Sequence, residues 1–242
     1  MNSAKLLITG GAGNVATFLR QHWGDRHTIR LADVRPVQNL SSHEEAVEFD
    51  IGDLDAFTQA CEGIDTVVHL AADPSMRADF YESLLQRNVI GAYNGFEAAR
   101  RAGCRRLVFA SSINAVSGYE RSRTPVDWDV PVYPSNVYGA TKCWGEALAR
   151  VYSHTHGLSC ICVRLTSPRF RQDDFDPEAD FLGVSARDTA QVFLRCVEAP
   201  DDVEFGIVHG VSKHDEYWFQ VSTSDERIGF DPEDGSAFPK TG

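Results

Sequence analysis

Lys5-Leu6-Leu7-Ile8-Thr9-Gly10-Gly11-Ala12-Gly13-Asn14-Val15-Ala16 decides how the rest of the chain is read. It opens with a short apolar run of strand formers and passes at once into a glycine-rich turn. Glycine permits a tight turn and lets the backbone approach a ligand closely. Past the turn, Val15, Phe18, Leu19 and Trp23 recur at helical spacing. A strand, a glycine turn and a helix in that order place free helix-terminal amides opposite a pyrophosphate. Ala16, small where the usual fingerprint has its third glycine, lets the helix lie tight on the strand. A glycine turn alone is weak evidence, and here it stands in the context that gives it meaning.

The stretch 27–32, His27-Thr28-Ile29-Arg30-Leu31-Ala32, reads as a second strand ending in Asp33. That acid lies about 20 residues past the glycines, where a carboxylate binds the adenosine ribose hydroxyls. A carboxylate there repels a 2′-phosphate, which favours NAD over NADP; Arg35, two residues on, points mildly the other way. Further strands are expected at 46–49, 66–72, 106–110, 158–165 and 204–210, and helices at 54–60, 79–102, 138–156 and 185–198. In the long segment 79–102, Phe80, Leu84, Leu85, Val89, Tyr93, Phe96 and Ala99 are expected on the buried side, with Gly103 as the stop. His69 reads as a core histidine. Strands alternating with helices at these lengths predict an α/β fold with a doubly wound parallel sheet, the Rossmann arrangement. Residues 1–165 form the dinucleotide-binding domain in this reading, and 166–242 a small C-terminal substrate-binding region packed on it.

Ligands bind such sheets at the carboxyl ends of the strands. Val108-Phe109-Ala110 delivers Ser111 and Ser112 to one of those ends. Beyond a polar, proline-bearing loop comes Pro134-Ser135-Asn136-Val137-Tyr138-Gly139-Ala140-Thr141-Lys142. Tyr138 and Lys142 are four apart and share one helix face, with Ser135 or Asn136 as N-cap. A tyrosine ionises near pH ~10, and a neighbouring ammonium is expected to lower that value. With Ser112 on the same substrate oxygen, these residues supply a proton acceptor, a cation and a hydrogen-bond donor for oxidation of an alcohol. Tyr-x-x-x-Lys pairs arise often by chance, so the motif counts only with its surroundings.

The formal charge of −12 over 242 residues argues against nucleic acid or an anionic membrane as partner. No apolar run reaches the ~18 residues of a membrane span, and the N-terminus reads straight into a strand, so a cytoplasmic location is expected. Six cysteines show no Cys-x-x-Cys pair and no clustering with histidine, so no metal or disulfide is expected.

Taken together, Thr9-Gly10-x-x-Gly13-x-x-Ala16, Asp33, Asp50-Ile51, His69-Leu70-Ala71-Ala72, Asn88-Val89-x-Gly91, Ser111-Ser112, Tyr138-x-x-x-Lys142 and Arg164 resemble the extended short-chain dehydrogenase/reductase superfamily, over nearly the whole chain. Within it, residues 108–112, 138–146 and Gly229-Phe230-x-Pro232-x-Asp234 resemble uronate dehydrogenases and archaeal NAD-dependent sugar dehydrogenases. The resemblance implies Tyr138 as general base, Lys142 as ribose ligand and tuner, and Ser112 as polariser of the reacting hydroxyl. It implies NAD contacts from Gly10, Gly13, Asn14, Val15 and Asp33, from Asp50, Ile51, Leu70, Ala71 and Ala72, and from Asn88, Tyr138 and Lys142. A small sugar would meet Ser75, Ser112, Asn114, Tyr138, Ser167 and Arg169. The Asn-His that follows the second serine in uronate dehydrogenases is Ile113-Asn114 here, and the stretch expected to carry their carboxylate-holding arginine reads Asp176-Pro177-Glu178-Ala179-Asp180. A helix-to-helix homodimer is the family habit.

The expected reaction is NAD-dependent oxidation of an aldose or uronate at its anomeric hydroxyl, giving a lactone. A nucleotide-sugar epimerase or dehydratase is the alternative, and the 75 residues after Ser167 favour a small unactivated sugar over a nucleotide sugar. A non-catalytic dinucleotide sensor is the third reading; retention of both Tyr138 and Lys142 speaks against it.

Overall fold

The computed structural model describes residues 4–119, 126–168, 183–213 and 221–234. Its centre is a seven-stranded parallel sheet in the order β3-β2-β1-β4-β5-β6-β9. The strands are β1 (Lys5–Thr9), β2 (Thr28–Asp33), β3 (Glu44–Glu48), β4 (Thr66–His69), β5 (Arg106–Ser112), β6 (Ser159–Leu165) and β9 (Phe205–Gly210). A short parallel pair, β7 (Ser167–Pro168) with β8 (Gly183–Val184), lies apart from it. This is the doubly wound arrangement expected from the sequence, with the switch in strand order beside β1.

Helices cover both faces. α1 (Asn14–Trp23) and α5 (Ala186–Val197) pack on one, where Leu19, Ile29, Val68, Val163 and Phe193 meet in a common core. α2 (Leu54–Ala60), α3 (Gly91–Arg101) and α4 (Val137–His156) cover the other around Phe57, Phe96, Phe109 and Tyr152. Such sheets are buried on both sides, so the middles of β5 and β6, 107–110 and 160–163, read as continuous apolar runs. The segment after Leu165 contributes α5 and β9 to this same sheet and core.

Local signals placed several boundaries. Asn136, of the two candidates, caps α4 by accepting from the Gly139 amide at 2.7 Å. Gly157 ends the same helix with φ 68°, a left-handed conformation that favours glycine. The segment 79–102 departs from expectation. Phe80–Ile90 winds as a π-helix before α3 begins. Its wider turn changes the angle between successive side chains, so a 3.6-residue pattern does not track its buried face. Leu84, Phe96 and Ala99 are buried as expected, whereas Phe80 and Tyr93 are exposed.

One long-range anchor holds the C-terminal elements. Arg106, fully buried, donates from Nη1 to the carbonyls of Cys196, Val197 and Ala199 and from Nη2 to Pro200, satisfying the end of α5. Burial pushes its guanidinium down to about 10.

Candidate active site

At the switch point, the glycine turn is as compact as its sequence demands. Gly10 has φ +72°, and a Cβ there would stand 3.1 Å from the Ala71 amide nitrogen. A Cβ on Gly13 would stand 3.0 Å from the Gly10 carbonyl oxygen. The turn therefore lies flat over the ends of β1 and β4. Asn14 and Val15 then open α1, whose first turn carries no side-chain cap and no acidic residue. An uncapped, unopposed helix N-terminus at the end of a glycine cradle fits a pyrophosphate.

Asp33 ends β2, and its Oδ2 accepts from the Ala12 amide at 3.0 Å. The carboxylate thus faces the glycine turn, as a ribose ligand must. Thr9 Oγ1 lies 2.7 Å from His69 Nδ1 and accepts from the Ala71 amide at 3.2 Å, tying β1 to the strand that leads into Leu70, Ala71 and Ala72. Burial holds His69 down at about 3, so it is a neutral core residue as the sequence suggested. These features fit an NAD molecule laid across the switch point.

The remaining cofactor candidates divide. Asp50 is exposed and its Oδ1 accepts from the Gly52 amide at 2.8 Å, while the Ile51 side chain fills the space beside Gly91. Asn88 is buried: its Oδ1 accepts from the Asp73 amide, and its Nδ2 donates to the Asp73 carbonyl and to Thr141 Oγ1. Those bonds make Asn88 a brace between α4 and the loop after β4.

Ser112, Tyr138 and Lys142 do converge. Ser112 ends β5, and Tyr138 and Lys142 lie in the first two turns of α4. α4 comes close because two of its residues lack side chains. A Cβ on Gly139 would fall 2.3 Å from the Asn114 carbonyl oxygen, and one on Gly145 would fall 2.2 Å from the Phe109 ring. Ser112 lies close enough to the Tyr138 phenol for its hydroxyl to favour the ionised form. Lys142 Nζ donates to the Ala110 carbonyl at 2.9 Å and lies 5.6 Å from the centre of the Tyr138 ring. Burial lowers Lys142 to about 8.

The tuning of the phenol corrects an expectation. The ammonium is not what opposes burial of Tyr138. Desolvation raises the phenol above its ordinary value, the Asp73 charge adds to that, and the Ser112 hydroxyl is the group that pulls it down. Lys142 is held on the Ala110 carbonyl, 5.6 Å from the centre of the Tyr138 ring, and burial lowers its own pKa, which disfavours its charged form.

Substrate candidates are partly in view. Asn114 donates from Nδ2 to Ser112 Oγ at 3.2 Å and accepts from Asn136 Nδ2 at 2.8 Å, so it orients the serine as well as lining the edge. Ser75 is exposed, its hydroxyl accepting from the Arg77 amide, and Ser167 is exposed in β7. Arg169, with Asp176, Glu178 and Asp180, lies outside the described residues. Asp73 is the neighbour that sequence reasoning missed. Its Oδ1 accepts from the Ser75 amide and its Oδ2 from the Ser83 hydroxyl, and Arg87 lies 3.7 Å away. Nothing in an Asp-Pro-Ser loop announces that its charge acts on a tyrosine 65 positions on. A concavity of about 590 Å³ at the opposite edge, by the end of α4, carries no comparable chemistry. There Arg150 stacks on Phe205 and Arg227 pairs with Asp202 and Asp225.

The fold and crevice match a known family. Residues 6–179 fit the NAD dependent epimerase/dehydratase family, and the chain belongs to it. Among its relatives, the NAD-dependent glucose-6-phosphate dehydrogenase of Haloferax volcanii is 32% identical, over 96% of this chain and 94% of that protein. The uronate dehydrogenase of Pseudomonas putida is 30% identical, over 96% of this chain and 85% of that one. The crystal structure of uronate dehydrogenase from Agrobacterium tumefaciens superposes with a TM-score of 0.86 at 33% identity, covering 98% of this chain and 86% of that chain. Fold, crevice and relatives together define an NAD-dependent oxidoreductase. No helix among the described residues is long and apolar enough to cross a membrane.

Proposed function

We propose that this enzyme is an NAD-dependent sugar dehydrogenase that oxidises an aldose or uronate at the anomeric hydroxyl to a lactone. The single observation that carries the reading is the convergence of Ser112, at the carboxyl end of β5, with Tyr138 and Lys142 in the first turns of α4, where Lys142 Nζ is held on the Ala110 carbonyl 5.6 Å from the centre of the Tyr138 ring. Its relatives named for glucose 6-phosphate and uronate as substrates support a small unactivated sugar.

NAD, when bound, supplies the acceptor for the hydride that leaves the anomeric carbon. Gly10, Gly13, Asn14 and Val15 would receive the pyrophosphate, and Asp33 the adenosine ribose. Ala71 and Ala72 give the nicotinamide half close passage. Ser112 donates to the sugar oxygen, Asn114 keeps its hydroxyl aimed, and Tyr138 removes the proton from that oxygen. Lys142, anchored on the Ala110 carbonyl, keeps two further N–H donors and would offer them to the nicotinamide ribose. From the segment after Leu165, Ser167 would face the sugar.

The chain is also proposed to assemble as a homodimer through α3 and α4. Val137, Trp144 and Val151 recur every seven residues on α4 and are all exposed, beside exposed Tyr93 on α3. Sedimentation at a monomer mass would reject it.

A panel of neutral aldoses, aldose phosphates and uronates offered with NAD tests the main reading. NADH should form with one class, and Tyr138→Phe should abolish it while leaving NADH binding nearly intact. Full activity in that variant removes the base assignment. Conversion of a UDP-sugar without net NADH would make the enzyme an epimerase.

A further inference from the structure

Beside the adenosine ribose position stands a cation that NAD does not require. Arg35 lies just past the end of β2 with its side chain 65% exposed. Its Nε sits 3.4 Å from Asp33 Oδ1, and its Nη2 donates to the Ala12 carbonyl at 3.3 Å. The guanidinium therefore spans from the carboxylate at the end of β2 to the glycine turn, the two features read here as holding the adenosine ribose and the pyrophosphate. Asp33 meanwhile has both oxygens engaged: Oδ2 by the Ala12 amide, Oδ1 by the Arg35 amide at 3.0 Å as well as by the side chain.

Discrimination against NADP rests on an uncompensated negative charge at this point. Here the charge is compensated locally. The compensating partner is also poorly held, since its contact with Oδ1 is long and open to water, and exposed ion pairs contribute little. A guanidinium prefers a phosphate dianion, which it can meet with two parallel N–H bonds. The other nearby arginine, Arg20, is already committed to Glu44 and to the carbonyls of Gln38 and Asn39.

We propose that Arg35 is a ligand for the 2′-phosphate of NADP, and that this enzyme binds NADP as well as NAD. With NAD the arginine stays on Asp33 and the ribose hydroxyls share the carboxylate. With NADP it turns outward from Oδ1 and takes the phosphate. The proposal rests on the dinucleotide reading of the crevice and is independent of which sugar is oxidised.

Equilibrium titration of NADH and NADPH, followed by nucleotide fluorescence, tests it without turnover. Adenosine 2′,5′-bisphosphate and 5′-AMP serve as displacing probes. Wild type should bind both reduced nucleotides, NADPH with the steeper loss on adding salt. Arg35→Ala should weaken NADPH and the bisphosphate about tenfold or more, about the value of one charge-assisted contact. NADH and 5′-AMP should change little, and Arg35→Lys should recover part of the loss. Unchanged NADPH affinity in Arg35→Ala overturns the proposal. So does equal loss of both nucleotides, which would make the arginine a prop for Asp33. Wild type that binds NADH but not NADPH also rejects it, whereas wild type that binds neither rejects the cofactor assignment itself.

Discussion

Glu146 takes both Nε and Nη2 of Arg164, each at 2.9 Å, in an ion pair sealed between α4 and β6. The same carboxylate accepts from Ser111 Oγ at 2.7 Å, and Arg164 Nη1 donates to the Trp128 carbonyl. One buried pair thus ties together the helix bearing Tyr138, the strand bearing Ser112 and the loop between them. Removing one partner strands a charge in the interior. Glu146→Leu should cost about 3–5 kcal/mol of stability, while the double variant Glu146→Leu/Arg164→Met should recover much of it. Denaturant unfolding of the three proteins checks this, and additive losses would show that the pair is not coupled.

The phenol of Tyr138 gives the pH profile a sign that can be tested from both sides. Its ionised form is the base, so sugar oxidation should rise with pH through its pKa, which burial holds above the usual value near 10. Ser112→Ala removes the group that favours the phenolate, so the acid limb of kcat/KM should move to higher pH. Asp73→Asn keeps the hydrogen-bonding shape of the loop but removes a repelling charge, so the limb should move to lower pH. Shifts in the same direction would remove the account of how this tyrosine is tuned.

Asp33→Ala should weaken NAD far more than NADP, because the lost carboxylate is a ligand to one cofactor and an obstacle to the other. Comparing the two dissociation constants decides it. An unchanged ratio would leave Asp33 without its ribose role.

Gly145 has no room for a methyl group. Its Cβ would fall 2.2 Å from the Phe109 ring, between α4 and β5. Gly145→Ala should therefore destabilise by at least about 1–3 kcal/mol through overpacking, despite the better helix propensity of alanine. Thermal melts would show it, and a more stable variant would mean that α4 can slide outward freely.

Acid lability has a named source in Glu97. Hydrogen bonds from Arg100 first, then Arg101 and Tyr152, outweigh burial and hold its carboxyl down at about 2. A carboxyl depressed in the folded state stabilises fully above its unfolded pKa and loses that contribution as pH falls through the folded one. Stability should decline between about pH 5 and 2, and Glu97→Gln should flatten that decline. Urea midpoints across the range measure it.

Sequence alone determined whatever a short window of backbone chemistry can specify. The glycine turn, the acid at the end of β2, the cap at Asn136, the stop at Gly157 and the alternation of strands with helices are all local consequences of residue type. They sufficed to place the crevice and to bring Ser112, Tyr138 and Lys142 to one edge of the sheet. The π-winding of 80–90 escaped notice because periodicity assumes one angular step per residue. Tertiary structure alone decided the electrostatics. Asp73 beside Tyr138, Glu146 on Arg164, Arg106 under the end of α5 and Arg35 across Asp33 and Ala12 each depend on segments meeting in space. The direction in which the Tyr138 phenol shifts depends on its burial, and a residue's distance from water is a property of the packed molecule.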